Sequence, residues 1–500
     1  MKKIVTLSAI AFLSTAAFAE TDVQKQIDEL KQKIERLQQI NDKQDDRISN
    51  VNILAAQDNL KFDVDFRTAY DNLRYKTASG ETYKNDGLYS NRLWLGMGYA
   101  PTKDMLFRGQ LSFNKAFGAS YGQRATGFGF DTFDWVLNEN LTDDTIKLRE
   151  AYWLWNLRTG TVAWTASVGR RPSTNGYLVN LRDDDKAKSP MGHIINMEFD
   201  GASVAMKLDH YVPGMYFKLC LGRGLTNATG WASEATQAVG APVGGSSLPN
   251  YVEDDSNLDN VDMAGLIFQP YDDGQYAVVT KYYRGYNVPG MYLSDMDFGT
   301  GARTYTMQSA GDMDGATISF KMDGVGDEIN DFLDETILFA SLAWSKSRTS
   351  DVSISRTANA QMALSMMGMD ANSMMGSDED KSGTSIWIGA QMPNLTGGKF
   401  GLEYNHGSKY WRPFTYGEDT MIGSKLAARG DAYEAYWTQP IIDDVFSMQV
   451  RYTYIEYDYT GSNGFFGDGG APFSMSEAVA LGMDPVETAQ DIRVYFRYRY

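Results

Sequence analysis

Three features of this 500-residue chain predict an all-β transmembrane barrel of about sixteen antiparallel strands (eighteen is the alternative) preceded by an α-helical coiled coil. From residue 61 onward, segments of about ten residues alternate apolar and polar side chains, as strands with unlike faces do. Between them, tight turns alternate with long polar connections. Ahead of them, residues 20–56 carry a heptad seam instead of strand alternation. The expected divisions are therefore 1–19, 20–56 and 57–500.

Residues 1–19 read as a secretory signal. Lys2 and Lys3 form the charged end, Ile4 to Leu13 a short apolar run, and Ala17-Phe18-Ala19 a cleavage site. The run is too short for a membrane anchor, so the mature chain is expected to start at Glu20. Lys and Arg total 46 against 64 Asp and Glu, a net charge of -18, which argues against nucleic acid as a partner. Cys220 is the only cysteine, which excludes an intrachain disulfide, a CxxC metal site and a haem-attachment motif. No internal run approaches the ~18 apolar residues of a spanning helix. Barrel strands need no such run, because only every second residue meets lipid.

In the heptad region Val23, Ile27, Leu30, Ile34, Leu37, Asn41, Gln44, Ile48 and Val51 recur at alternating steps of four and three. The remainder is polar, and Gly and Pro are absent, so the seam predicts self-association. Asn41 at an a position fixes register at some cost in stability, and Ile at a with Leu at d points to two strands. A helix of about 35 residues reaches roughly 50 Å.

Sixteen strand candidates follow, near 61–73, 90–100, 105–116, 145–157, 161–171, 197–209, 215–225, 260–270, 275–287, 314–323, 335–347, 383–393, 398–407, 430–440, 445–460 and 489–500. Segment 145–157 changes phase, and 300–308 is a further candidate. Long connections are expected at 74–89, 117–144, 172–196, 226–259, 288–313, 348–382, 408–429 and 461–488. A sandwich has no reason to gather every long loop at one end, whereas a membrane barrel does. In the last strand Ile492, Val494, Phe496, Tyr498 and Tyr500 share one face, and Asp491, Arg493, Tyr495, Arg497 and Arg499 the other. An apolar face toward lipid and a basic face toward a watery lumen account for both.

Signal, heptad stalk, sixteen segments and terminal Tyr500 together resemble a Gram-negative outer-membrane porin with an N-terminal coiled coil. The resemblance covers nearly the whole chain as architecture, without a motif that names a solute. It implies an outer-membrane location, a coiled coil in the periplasm, a homotrimer, and Phe496, Tyr498 and Tyr500 as an assembly signal. It also implies passive diffusion of small hydrophilic solutes or ions. The third long connection, 172–196, would narrow the pore, with Asp183, Asp184 and Asp185 as constriction residues.

Alternation directs Arg67, Arg92 and Arg108 inward from the first three strands and Arg451, Arg493, Arg497 and Arg499 inward from the last two. Barrel closure gathers them into one basic seam, which Asp63 and Asp65 partly compensate. An acidic loop opposite this seam would set up a transverse field, and guanidinium groups would contact carboxylates or phosphates of passing solutes. Acidic connections, such as Asp378, Glu379 and Asp380, favour cations at the mouth, and a weak cation preference is the expected balance. The Met362–Met375 stretch is read as apolar packing around a short helix rather than a Cu(I) site. No cofactor or metal is expected. With His193, His210 and His406 the only histidines, no enzyme is expected either. Two alternatives to a channel are a tether joining the membrane to a cell-wall or periplasmic partner through the coiled coil, and a sheath for a partner electron carrier.

Overall fold

A computed structural model describes residues 60–119, 141, 144–171, 174–228, 251–253, 258–326, 329–349, 354–370, 373–464 and 466–500. The signal segment and the seam through Ile27, Leu30, Ile34, Leu37, Asn41 and Ile48 lie outside them. The chain divides into a unit of Met1–Lys61 with Tyr99–Leu106 and a unit of Phe62–Gly98 with Phe107–Tyr500. The described part of the first is mainly two strand ends and the turn between them, where Thr102 Oγ accepts from the Met105 amide at 3.1 Å. All that follows concerns the second.

Sixteen strands form a closed antiparallel barrel. They are β1 (Lys61–Thr77), β2 (Thr82–Thr102), β3 (Met105–Ala116), β4 (Lys147–Thr159), β5 (Val162–Arg171), β6 (Phe199–Lys207), β7 (Tyr216–Leu225) and β8 (Val261–Asp272), then β9 (Tyr276–Met296), β10 (Arg303–Asp323), β11 (Ile337–Thr349), β12 (Lys381–Pro393), β13 (Lys399–Gly407), β14 (Gly430–Ile442), β15 (Phe446–Tyr457) and β16 (Val486–Arg499). Each pairs with its neighbours in the chain, and β1 pairs with β16 to close the ring. The closing register runs from Asp65 opposite Arg499, through Asp71 opposite Arg493, to Thr77 opposite Val486, and Val64 and Tyr500 exchange backbone bonds of 2.8 and 2.9 Å.

The two faces follow the alternation. On β11, Leu338 and Leu342 face out at 39% and 56% exposure, while Phe339, Ser341, Ala343, Ser345 and Ser347 are buried inside. On β16, Ile492, Phe496 and Tyr498 face out, and Asp491, Arg493, Tyr495 and Arg497 are buried. Trp153, Trp155, Val204, Leu219, Leu221, Ile318, Ile386, Ile388 and Leu402 continue the outer apolar surface. So large an apolar exterior around a polar interior fits lipid outside and not water.

Two expected long loops are strand instead. β1 and β2 continue through most of 74–89, leaving a turn at 78–81. β9 and β10 continue through most of 288–313, pairing as far as Met296 opposite Arg303. Segment 300–308 therefore lengthens β10 and adds no strand, so the count is sixteen. Alternation reports a difference between two environments. Where a strand has like surroundings on both faces, the backbone ladder persists and the pattern disappears. The phase change on β4 is real: Arg149 and Glu150 are both buried, while Leu148, Trp153 and Trp155 face out. Its partner Gly169 has φ +128, and a Cβ there would lie 2.2 Å from the Ala151 carbonyl oxygen.

The interior is filled by connections. Ile194 and Ile195 from 172–196 and Trp411 and Phe414 from 408–429 are at most 1% exposed, and they join wall residues Val279, Tyr283 and Met313 in one apolar cluster. Backbone bonds tie the two connections together: Phe414 N to Ile194 O at 2.9 Å, and Gly417 N to Asn196 O at 2.7 Å. The methionine stretch holds a helix, α1 (Ala358–Met366), with Met374 and Met375 buried in the same cluster. Arg429 donates to Met375 Sδ at 3.1 Å.

Because Leu342 sits mid-strand on the lipid face, Leu342→Arg should destabilise the barrel by about 2–4 kcal/mol. Equilibrium denaturant unfolding in lipid vesicles measures this, and an unchanged midpoint would contradict the assigned face.

Candidate functional site: an arginine ladder under a crossing loop

β1, β2, β15 and β16 present inward-facing arginines at neighbouring positions. Arg451 stands opposite Arg493, which stands opposite Asp71, and Arg67 stands opposite Arg497. Arg67, Arg92, Arg451, Arg493 and Arg497 are each at most 5% exposed. Unpaired, such an array would be strongly repulsive in a low-dielectric interior.

Asp419, from the 408–429 connection, enters the middle of the array. Its carboxylate accepts from Arg67 at 2.9 Å and from Arg493 at 2.9 Å, and it lies 3.8 Å from Arg92. Its backbone carbonyl accepts from Arg451 at 2.6 Å. Burial alone would push the Asp419 carboxyl up, but the Arg67 and Arg493 guanidiniums hold it well below the usual carboxylate range. Asp71 pairs with Arg493. Asp65 accepts from Arg497 at 2.9 Å and lies 3.5 Å from Arg92.

The 172–196 connection leaves β5 and reaches strands half a circumference away. His193 bonds Ser341 on β11 at 2.7 Å and Ser385 on β12 at 2.9 Å. Burial pushes this imidazole down to about 3, so it stays neutral at physiological pH. Gln391 on β12 donates to Leu181 O, and Gln449 on β15 to Arg182 O, both at 2.7 Å. β11, β12 and β15 lie six or seven places from β5 in a sixteen-strand ring, close to the opposite side, so the connection crosses the lumen.

Its three aspartates land on the ladder. Asp185 accepts from Arg497 at 2.9 Å and from Arg499 at 3.1 Å. Burial pushes its carboxyl up, against the pull of Arg497. The Asp183 carbonyl accepts from Arg497 at 2.7 Å, and its buried carboxylate lies 3.7 Å from Arg182. Asp184 pairs with Lys399, and its carbonyl accepts from Arg499 at 3.0 Å. The expected geometry of an acidic loop facing the arginines across a gap is therefore corrected. Asp185 puts its carboxylate on Arg497 and Arg499, and Asp183 and Asp184 meet the same two arginines through their carbonyls, because a buried charge is far cheaper in contact with its partner than across a gap.

Beside the ladder lies a second network. Arg182 is 3.3 Å from both Glu418 and Glu434, and Lys425 reaches Glu403 at 2.6 Å and also pairs with Glu434. Thr453 donates to Glu434 at 2.8 Å and Trp387 Nε1 to Glu403 at 3.0 Å. Asp419, Glu418 and Lys425 were not singled out from sequence, and neither were Arg182, Glu403 or Glu434 as partners. The signal available was the adjacent pair Glu418-Asp419 in a connection rich in aromatics, with Tyr410, Trp411, Phe414 and Tyr416 just ahead of it.

Arg108 is not gathered with the others. It stays exposed on β3, its guanidinium nitrogen 3.5 Å from where a Cβ on Gly98 would sit. Phe496, Tyr498 and Tyr500 are outward and exposed, with Phe496 stacked on Phe446 at 5.9 Å.

Two outcomes follow for the network. Asp419→Asn leaves buried guanidiniums without their shared anion and should cost about 3–5 kcal/mol, read as a fall in the thermal midpoint of the folded barrel. Because the folded carboxyl is depressed, its contribution is fully present above the ordinary carboxylate pKa. It is lost only as pH falls through the still lower folded value. His193 acts over a higher window. Between 6.5 and about 3 a released loop takes up a proton that the folded loop refuses, so acid loosens it. Limited proteolysis of 172–196 across that range should show this opening in the wild type, and much less of it in His193→Gln.

Solved structures similar to this chain include OmpF of Salmonella typhi in complex with daunomycin, at 12% identity and a TM-score of 0.43, covering 88% of this chain and 98% of that one. In-vitro folded OmpT, an outer membrane protein of Vibrio cholerae, gives 11% and 0.42, covering 88% and 97%. OccAB4 of Acinetobacter baumannii gives 10% and 0.40, covering 88% and 98%. No curated protein matches. A family profile described as "Protein of unknown function (DUF3373)" matches residues 82–500, and the chain belongs to that family.

Proposed function

We propose that this barrel is an outer-membrane channel of the porin type, for passive diffusion of small hydrophilic solutes or ions. The observation that carries the reading is the inversion of the barrel: an apolar outer face around an inner wall of charged and hydrogen-bonding side chains. Loop 172–196 is the constriction in this reading. Arg497 and Arg499 anchor it through Asp185, while Arg67, Arg493 and Arg451 hold the 408–429 connection through Asp419, so their charge is spent on holding the two loops. Selectivity then falls to the charged side chains that keep solvent, Arg108 and Asp63, both exposed. The acidic chain as a whole favours a weak cation preference. In the same reading the heptad segment projects into the periplasm, three copies assemble, and the outward aromatics of β16 serve barrel assembly.

The apolar cluster between the connections and the wall favours a second reading, a closed barrel serving as an anchor for the periplasmic stalk. Conductance of purified protein in planar bilayers separates the two. A channel gives discrete steps, and Arg108→Gln should shift the reversal potential toward cations while Arg92→Gln leaves it nearly unchanged. Absence of steps would sink the channel reading and leave the anchor. Equal shifts from both variants would return the selectivity role to the ladder.

A further inference from the structure

A second basic site lies on the wall away from the ladder. In register across three neighbouring strands stand Lys218 on β7, Ile267 on β8 and Lys281 on β9. One row on stand Cys220, Gly265 and Tyr283. Gly265 contributes no side chain to its row, and a cavity of ≈ 70 Å³ lies there, with Ser189 and Ile195 of the crossing loop in its lining. Lys281 is 8% exposed, and Lys218 donates to Ser189 Oγ. Arg171 also lines the cavity.

Among the described residues, no carboxylate lies within ion-pair distance of Lys218 or Lys281. Carboxylates of neighbouring strands are engaged elsewhere. Asp262 pairs with Arg223, and Asp323 pairs with Lys321. This is the reverse of the ladder, where every buried cation named above has an acidic or carbonyl partner within the chain. Two ammonium groups this enclosed are costly unless an anion joins them.

We propose that this cavity binds a small carboxylate with a short alkyl body. The lysines take the carboxylate, and Ile195, Phe199 and Ile267 take the alkyl end. The volume is several times the ~10–15 Å³ that one water needs, room for about five heavy atoms. The mostly apolar lining favours an alkyl carboxylate over inorganic phosphate, whose every oxygen demands a donor. Binding here does not depend on conduction, so the site stands whether or not the barrel proves to be a channel.

Cys220 lines the cavity and is the only thiol of the chain, so it reports on occupancy without engineering. The probe is propionate. The readout is the rate at which full-length protein in detergent reacts with methyl methanethiosulfonate, a small uncharged reagent, followed by mass spectrometry at constant ionic strength. A single site slows the reaction by 1 + [L]/Kd, about threefold at twice Kd. The slowing should disappear in Lys218→Met/Lys281→Met and persist in Lys218→Arg/Lys281→Arg. Gel mobility of the unheated protein confirms that each variant is folded. No protection by propionate, equal protection in the methionine variant, or a thiol that never reacts would each overturn the proposal. Stronger protection by phosphate than by propionate would overturn the alkyl-carboxylate assignment.

Discussion

The carboxylate of Asp419 is the constraint on which the lumen depends. Arginines on β1, β2, β15 and β16 crowd the closure of the ring, and one buried aspartate from a connection meets three of them with its side chain and the fourth with its carbonyl. Without an anion at that point the wall could not carry so many guanidiniums on adjacent strands, because each would be a desolvated charge facing its own kind. Asp65, Asp71 and Asp185 complete the neutralisation from the wall and from the second connection. The ladder and the connections therefore specify each other. The arginines fix where the connections lie, and the connections make the arginines tolerable.

This dependence explains why the barrel interior has two characters. Near the closure it is ionic and hydrogen-bonded. Farther round, toward β9 and β10, it is apolar, with Trp411 and Phe414 packed among wall residues such as Tyr283 and Met313. Each connection uses both. Segment 408–429 places Asp419 in the ladder and Phe414 in the apolar cluster five residues earlier. Segment 172–196 places Asp185 on Arg497 and Ile194 and Ile195 in that same cluster. A connection held at one end by charge and at the other by apolar burial has little freedom to swing.

Charge that is paired within the chain and charge that is not have different consequences. Ladder arginines are each paired with aspartates or carbonyls of the chain. Arg108, Lys218 and Lys281 make no ion pair among the described residues, and their fields are available to something else. The number of inward cations is therefore a poor guide to what a lumen prefers, and their partners are the better one.

The sequence by itself determined a barrel of about sixteen strands, the two faces of the first three strands and of the last, and the nearness of Arg67 and Arg92 to Arg451, Arg493 and Arg497 across the closure. All of these rest on period-2 alternation and on the first and last strands being neighbours in a ring. It also pointed to 172–196 as the connection that turns inward. Only the tertiary structure decided that Asp183, Asp184 and Asp185 rest on the arginines instead of facing them. The same holds for the lengthened β9–β10 hairpin and for Asp419 and Lys425 as centres of the two ion-pair networks. A strand's pattern is imposed locally by lipid on one side and lumen on the other. The partner of a buried charge is chosen by which distant connection reaches it first, a long-range matter that no local spacing records.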